Sequence, residues 1–213
     1  MRPTQHNRIL LFTRYPEAGR CKTRLIPVLG AGGAAALHRK MTQRMIGQVT
    51  RLAAIQPHLL EIHHDGGTQT QMRSWLGVDH HYHKQGEGDI GCRMQTAILR
   101  HLGRRQRLLL IGSDCPGLSA EIMQEAFTAL TSHDLVLGPA YDGGYYLIGL
   151  GAEISAPTCH SLFQDIPWST DGVYTTTKKR AEEQRLRCHT LTRLHDIDTP
   201  ADLRYLDHHP YPQ

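Results

Sequence analysis

An unbroken apolar run, Leu108-Leu109-Leu110-Ile111, stops abruptly at Gly112-Ser113-Asp114-Cys115-Pro116. Such a run, closed by glycine and proline, reads as a strand buried on both faces, and such strands need helices above and below them. The rest of the chain supplies those partners by alternation. Strand-like runs span 8–13, 58–63, 79–83, 107–112, 134–137, 145–150 and 187–191. Between them lie helical stripes: Ala34, Leu37, Met41, Met45, Val49 and Leu52; then Ile90, Met94, Ala97, Ile98 and Leu102; then Ile122, Met123, Ala126, Phe127 and Leu130, capped by Ser119. A further helix is predicted over 173–184 and a last one from Pro200, whereas 154–168 reads as irregular. The expected fold is α/β: a three-layer α/β/α sandwich with a mostly parallel, Rossmann-like sheet. One domain over residues 1–213 is the simplest division, with 209–213 as a frayed tail.

In such a sheet, ligands sit at the carboxyl ends of the strands, where Asp114 falls. A second acid stands in His195-Asp196-Ile197-Asp198-Thr199-Pro200-Ala201-Asp202. Thr199 reads as a helix N-cap, Pro200 suits the first helical position, and Asp202 is the acid of a capping box. Asp198 is thereby fixed just before a helix entry. Asp114 and Asp198 make a plausible pair of ligands for a hard divalent cation, Mg2+ or Mn2+, that would in turn hold a phosphate.

The loop after the first strand, Arg14-Tyr15-Pro16-Glu17-Ala18-Gly19-Arg20-Cys21-Lys22-Thr23-Arg24, concentrates cations around one glycine. It is neither a P-loop nor a dinucleotide fingerprint, and its bland reading is a solvated loop. Its place after strand one suits phosphate binding. Gln85-Gly86-Glu87-Gly88-Asp89 opens a helix, where Asp89 serves equally well as a cap. Asp142-Gly143-Gly144 joins two strands and is also a good hairpin turn. Trp168-Ser169-Thr170 can shape an acceptor pocket or simply plug a core edge.

Composition narrows the function classes. With 39% hydrophobic and 21% charged residues, the chain is an ordinary globular sequence. A net charge of +4 is compatible with an anionic small molecule, but aromatics at 6% argue against a nucleic-acid module. Cys21, Cys92, Cys115, Cys159 and Cys188 form no C-x-x-C pair, which suits a reducing cytoplasm. No apolar stretch has the length of a membrane span, and the N-terminus lacks a signal-peptide core. The clusters His63-His64, His80-His81-Tyr82-His83 and His208-His209 read as surface histidines, with a histidine-rich metal-handling protein as the rival.

Six motifs in order carry a family resemblance: R-Y-P-E-A-G-R-C-K-T-R-L, Q-G-E-G-D-I-G-C-R-M, G-S-D-C-P-G-L, G-P-A-Y-D-G-G-Y-Y-L-I-G-L, I-P-W-S-T and D-I-D-T-P-A-D-L. Together they resemble the bacterial transferases associated with radical-SAM/selenodomain proteins. That family lies within the nucleotide-diphospho-sugar transferase superfamily, of GT-A fold. More remotely, the chain resembles 2-phospho-lactate and molybdenum cofactor guanylyltransferases. It departs from sugar-nucleotide pyrophosphorylases at Phe12-Thr13-Arg14, in place of a glycine-rich opening. The D-x-D of many GT-A glycosyltransferases is here Ser113-Asp114-Cys115.

The resemblance implies that Arg14, Gly19, Lys22 and Arg24 bind donor phosphates, and that Asp114 and Asp198 hold the metal. It places Gln85, Gly88 and Asp89 near the nucleotide base, and Asp142, Gly143, Gly144, Trp168, Ser169 and Thr170 on the acceptor side. Lys22, Arg24, Asp114 and Asp198 are then the expected catalytic residues. The expected enzyme is a cytoplasmic, metal-dependent transferase taking a nucleoside triphosphate or nucleotide sugar as donor and a small molecule as acceptor, without nucleic-acid or membrane partners. Functional association with a radical-SAM enzyme is a further implication. The cationic loop favours nucleotidyl over glycosyl transfer, and an inactive nucleotide-binding module is the remaining alternative.

Overall fold

The computed structural model of the protein describes residues 7–206. The expected tail at 209–213 and the His208-His209 pair lie outside the described residues. Seven strands form one sheet: β1 (Asn7–Arg14), β2 (His58–Asp65), β3 (His81–Lys84), β4 (Arg107–Gly112), β5 (Leu135–Pro139), β6 (Tyr145–Leu150) and β7 (Cys188–Thr190), in the order β3-β2-β1-β4-β6-β5-β7. All pairings are parallel except those of β6, which runs antiparallel to β4 and β5. The short β5–β6 connection through Asp142-Gly143-Gly144 is what reverses β6.

Helices cover both faces. On one face α1 (Ile26–Ala53) and α4 (Ala120–Ala129) bury Met45, Val49, Leu52, Met123 and Phe127 against Ile9, Leu11, Leu109 and Ile111. On the other, α3 (Ile90–Leu99), α5 (Ala156–Phe163) and α6 (Val173–Glu183) cover Leu10, Phe12, Leu108, Leu110, Leu137 and Ile148. Consecutive residues of β1 and β4 thus enter opposite cores, which is why their sequence shows no polar alternation. The expected α/β sandwich is the observed one. No helix among the described residues is long and apolar enough to cross a membrane.

Three expectations need correction, and one helix has no counterpart among them. Residues 154–168 are not irregular throughout, because Ser155 caps α5 by accepting from the Thr158 amide. The sequence signal there was short: Cys159, Leu162 and Phe163 alone carry the buried face. Helix α2 (Gln69–Leu76) went unread; it buries only Met72, too little for a periodic stripe, although Thr68 and Gln71 form a complete capping box. The element at Pro200 is a 3-10 helix, Pro200–Tyr205.

The histidines are also less superficial than expected. His63 and His64 are buried, and His63, His83 and His101 each place Nε2 within 3.0–3.6 Å of Glu61 Oε2. Arg8 pairs with the other oxygen of Glu61. Period-two alternation puts Glu61 and His63 on one side of β2, where α3's end covers them with His101.

Candidate active site

Two hydrogen bonds, one from the backbone and one from a side chain, bring the separated acids together. The Ile197 amide donates to Asp114 O at 2.9 Å, and Cys115 Sγ donates to His195 O at 3.1 Å. A parallel bridge between Ala140 and Leu194 guides the same segment past the end of β5. Beyond Asp198, the Asp202 carboxylate accepts from the amides of Thr199 (2.7 Å) and Asp198 (3.2 Å). Asp114 and Asp198 consequently face one cleft of about 440 Å³ at the carboxyl ends of β1 and β4.

Lys22 lies between them. Its Nζ is 2.9 Å from Asp114 Oδ2 and 3.8 Å from Asp198 Oδ1, and its side chain is only 3% exposed. An ammonium carries three donors, so these two acids leave it at least one for a ligand. Lys22 adopts a left-handed backbone conformation (φ 49°, ψ 43°) at the entry to the 3-10 turn Thr23–Leu25. That conformation costs a non-glycine residue roughly 1–3 kcal/mol and persists where surroundings enforce it. Leu25, fully buried beside Met41 and Ile197, is the anchor.

Every cation of this loop has an acidic partner. Arg24 Nη1 is 2.5 Å from Asp198 Oδ2, Arg14 Nη2 is 2.8 Å from Asp65 Oδ2, and Arg20 pairs with Glu17 at 3.2 Å. The wall also holds His38, whose Nε2 bonds Arg14 O at 2.9 Å while Nδ1 faces Asp114 Oδ1 at 3.6 Å. Surrounding protein would raise the Asp114 pKa, but Lys22 and His38 overcome that and hold the carboxyl well below the usual range. Its side chain is nevertheless 48% exposed, because the cleft opens directly onto it.

The other expected residues divide. Gln85 lines the cleft, yet its Nε2 is committed to Thr13 O (3.0 Å) and His63 O (3.1 Å), so it ties strand ends together. Gly19 (φ +82°) lines an adjoining hollow with Arg14, Tyr15 and Asp65. Gly88 and Asp89 stand at the start of α3 outside the cleft lining, and Asp89 accepts from the Cys92 amide at 2.8 Å as an N-cap. Ile90, the next residue, is the one that reaches the cleft.

Asp142, Gly144, Trp168, Ser169 and Thr170 gather around a second hollow, also about 440 Å³, which shares Arg24, Ile90 and Asp198 with the first. Two glycines permit this assembly. A Cβ on Gly91 would lie 2.1 Å from the Trp168 indole, and one on Gly143 (φ +90°) would lie 2.2 Å from Asp171 O. Asp142-Gly143-Gly144 is thus a turn and also a seat for the 168–172 segment, with the Tyr174 amide bonding Gly143 O at 2.9 Å.

Residues 47–170 match the family described as "Uncharacterized protein conserved in bacteria (DUF2064)". The chain belongs to that family. The DUF2064 match takes in Asp114, Asp142 and Trp168, while Lys22, Arg24 and Asp198 flank it in sequence and reach the cleft only through the fold.

A protein from Desulfovibrio desulfuricans G20, provisionally described as a nucleotide-diphospho-sugar transferase, is 34% identical; the match covers 95% of this chain and 87% of that one, with a TM-score of 0.86. The fold extends to CMP:2-keto-3-deoxy-manno-octonic acid synthetase complexed with CTP (9% identity, 95% and 97% covered, TM-score 0.58). It extends also to Rv0371c from Mycobacterium tuberculosis H37Rv in complex with manganese (17% identity, 95% and 98% covered, TM-score 0.56). A comparison with curated proteins finds no match.

The structure adds residues that sequence reasoning passed over. His38 was hidden inside a regular helical stripe, and Asp65 ended a strand without a motif around it. Asp171 carried no signal beyond its neighbours. Asp196, two residues before Asp198, is half-buried near Asp142, and burial together with that charge lifts its pKa to about 6.

Proposed function

We propose that this DUF2064 protein is a divalent-metal-dependent transferase that moves a nucleotidyl group from a nucleoside triphosphate to a small acceptor. The observation that carries this reading is the convergence of Asp114, Asp198 and Lys22 at the floor of the cleft. Hard carboxylate oxygens suit Mg2+ or Mn2+. Among the described residues, no three histidine, cysteine or acidic groups are placed to hold a metal ion by themselves. Two carboxylates therefore suit an ion whose remaining ligands come from water and donor phosphates, as is usual for magnesium with nucleotides. Two relatives of the same fold hold ligands of these kinds, CTP in one and manganese in the other.

Charge balance supports the metal requirement. Arg14, Lys22 and Arg24 line the cleft, but each already faces a carboxylate. A polyphosphate entering alone would find no net positive charge. A bound divalent cation would supply it, neutralising phosphate oxygens while in-line attack proceeds. Lys22 would turn its free donors to the phosphates, and Arg24 would stabilise the leaving pyrophosphate. The Ile197–Asp114 backbone hydrogen bond joins the segments that carry the two acids, and positioning and electrostatics would supply the catalysis.

Glycosyl transfer from a nucleotide sugar is the second reading, favoured by the description of the 34% identical relative. The association with radical-SAM proteins rests on the six motifs alone. Both transfer readings are tested by thermal shift with nucleoside triphosphates and nucleotide sugars, with and without Mg2+ or Mn2+. A metal-dependent shift by a triphosphate, with pyrophosphate released on turnover, supports nucleotidyl transfer. Release of a nucleoside diphosphate from a nucleotide sugar replaces it with glycosyl transfer, and no nucleotide binding defeats both.

A further inference from the structure

The second hollow bears on the acceptor, and this inference rests on the transferase reading above. Its charged lining is Asp142, Asp171 and Asp198 against one cation, Arg24. That guanidinium is already engaged, 2.5 Å from Asp198 Oδ2. Asp142 Oδ1 accepts from the Gly144 amide at 2.8 Å, which leaves its other oxygen uncommitted. Ionised carboxylates accept hydrogen bonds and donate none. With Asp198 matched by Arg24, Asp142 and Asp171 are the uncompensated charges, so a molecule held here must bring donors and an anion would face two carboxylates.

One wall is aromatic. Trp168 is held by Phe163 (ring centroids 5.9 Å apart, stacked) and Tyr145 (6.4 Å, edge-on), and lies flat against Gly91. An aromatic side chain fixed beside carboxylates suits a compound that brings C–H groups to the indole and hydroxyls to the acids. The hollow meets the donor cleft at Asp198 and Arg24, so a hydroxyl bound there stands next to the phosphates of a bound donor.

From this juxtaposition we propose that the acceptor is a hydroxyl-bearing, sugar-like compound without negative charge, neutral or cationic, and that a phosphorylated acceptor is excluded. The inference holds whether the transferred group is nucleotidyl or glycosyl.

The test reads the hollow directly. The chain has two tryptophans, so in a Trp75→Phe protein the emission comes from Trp168 alone. It is titrated, in the presence of metal and a donor that gives a thermal shift, with matched pairs: glucose, galactose, mannose and glucosamine against their 6-phosphates. The expected result is a saturable change with at least one unphosphorylated member, at least tenfold tighter than with its phosphate. Asp171→Asn is expected to weaken that binding about tenfold with donor binding unchanged, and Asp171→Lys to reverse the preference. Tighter binding of the phosphates, or a panel in which no unphosphorylated member binds, overturns the proposal. Should no nucleotide shift the melting temperature, the transferase reading fails separately, and the titration run without donor still reports the preference of the hollow.

Discussion

Lys22 Nζ stands 2.9 Å from Asp114 Oδ2 and 3.8 Å from Asp198 Oδ1, in the place where the two acids converge. A buried ammonium thereby keeps two carboxylates compatible with one another before any ligand arrives. The same ammonium must then give way or turn when a cation and a donor bind. Lys22→Met retains the stem and removes the charge. Donor affinity is expected to fall at least tenfold and turnover on the order of a hundredfold. Isothermal titration with donor and metal checks it, and an unchanged affinity would remove Lys22 from the donor site.

Asp114→Asn tests the cation. The amide keeps the shape but loses the charge that Lys22 and His38 now face. The variant is expected to fold, to lose the metal-dependent part of the donor-induced thermal shift, and to drop in turnover by at least a hundredfold. A shift that still depends on Mg2+ or Mn2+ would place the ion elsewhere.

Gly91→Ala tests the aromatic wall. The added methyl would meet the Trp168 ring at 2.1 Å, so the indole must move. A loss of about 1–3 kcal/mol in stability is expected from the overpacking. Acceptor KM is expected to rise while donor affinity stays, since the clash lies on the acceptor side. Equal losses in both would mean that the hollow is not a separate subsite.

Asp202→Ala separates the cap from the hydroxyl beside it. Asp202 Oδ2 accepts from the Thr199 amide, the Thr199 hydroxyl and the Asp198 amide at 2.7, 2.7 and 3.2 Å. Its removal frees the backbone of Asp198, and a cost on the order of 1–2 kcal/mol with a clear loss of activity is expected. Thr199→Ala keeps both amide contacts and is expected to cost less and to leave activity within a few-fold. Denaturant melts and a turnover assay on the two variants check the order.

The histidine cluster predicts a pH dependence of stability. Burial lowers the pKa of His63 and of His83 from 6.5, so between the folded values and 6.5 the unfolded chain binds more protons. Stability is therefore expected to fall as pH drops below about 6.5. Burial opposes ionisation of Glu61, but His101, His63 and Arg8 hold its pKa far below the ordinary range. Its contribution is present above the unfolded carboxyl pKa and is lost only in strong acid. Urea unfolding at pH 8, 6.5 and 5 should show a decline in that order; a flat profile would mean the imidazoles are not buried neutral.

Periodicity alone determined most of the fold. The runs at 107–112 and 145–150 coincide with β4 and β6, and the Ala34–Leu52 stripe is the buried face of α1, because burial leaves a period in the sequence. The acids at Asp114 and Asp198 were legible for a similar reason, one ending a strand and the other preceding a cap. Short elements such as α2 and α5 bury too few residues to print a period.

Pairing across the chain was the business of tertiary structure. Whether Glu61 meets His83 and His101, whether Lys22 neutralises Asp114, and whether Gly91 admits an indole depend on contacts between residues tens of positions apart. The cationic first loop shows the difference most plainly. Its charges were visible in the sequence, but apart from Glu17, which pairs with Arg20 inside the loop, the carboxylates that balance them come from β2, from the end of β4 and from the segment before Pro200. Local sequence fixes which groups are present. Only the packed sheet decides which of them share a cleft, because chain crossings rather than neighbours set those distances.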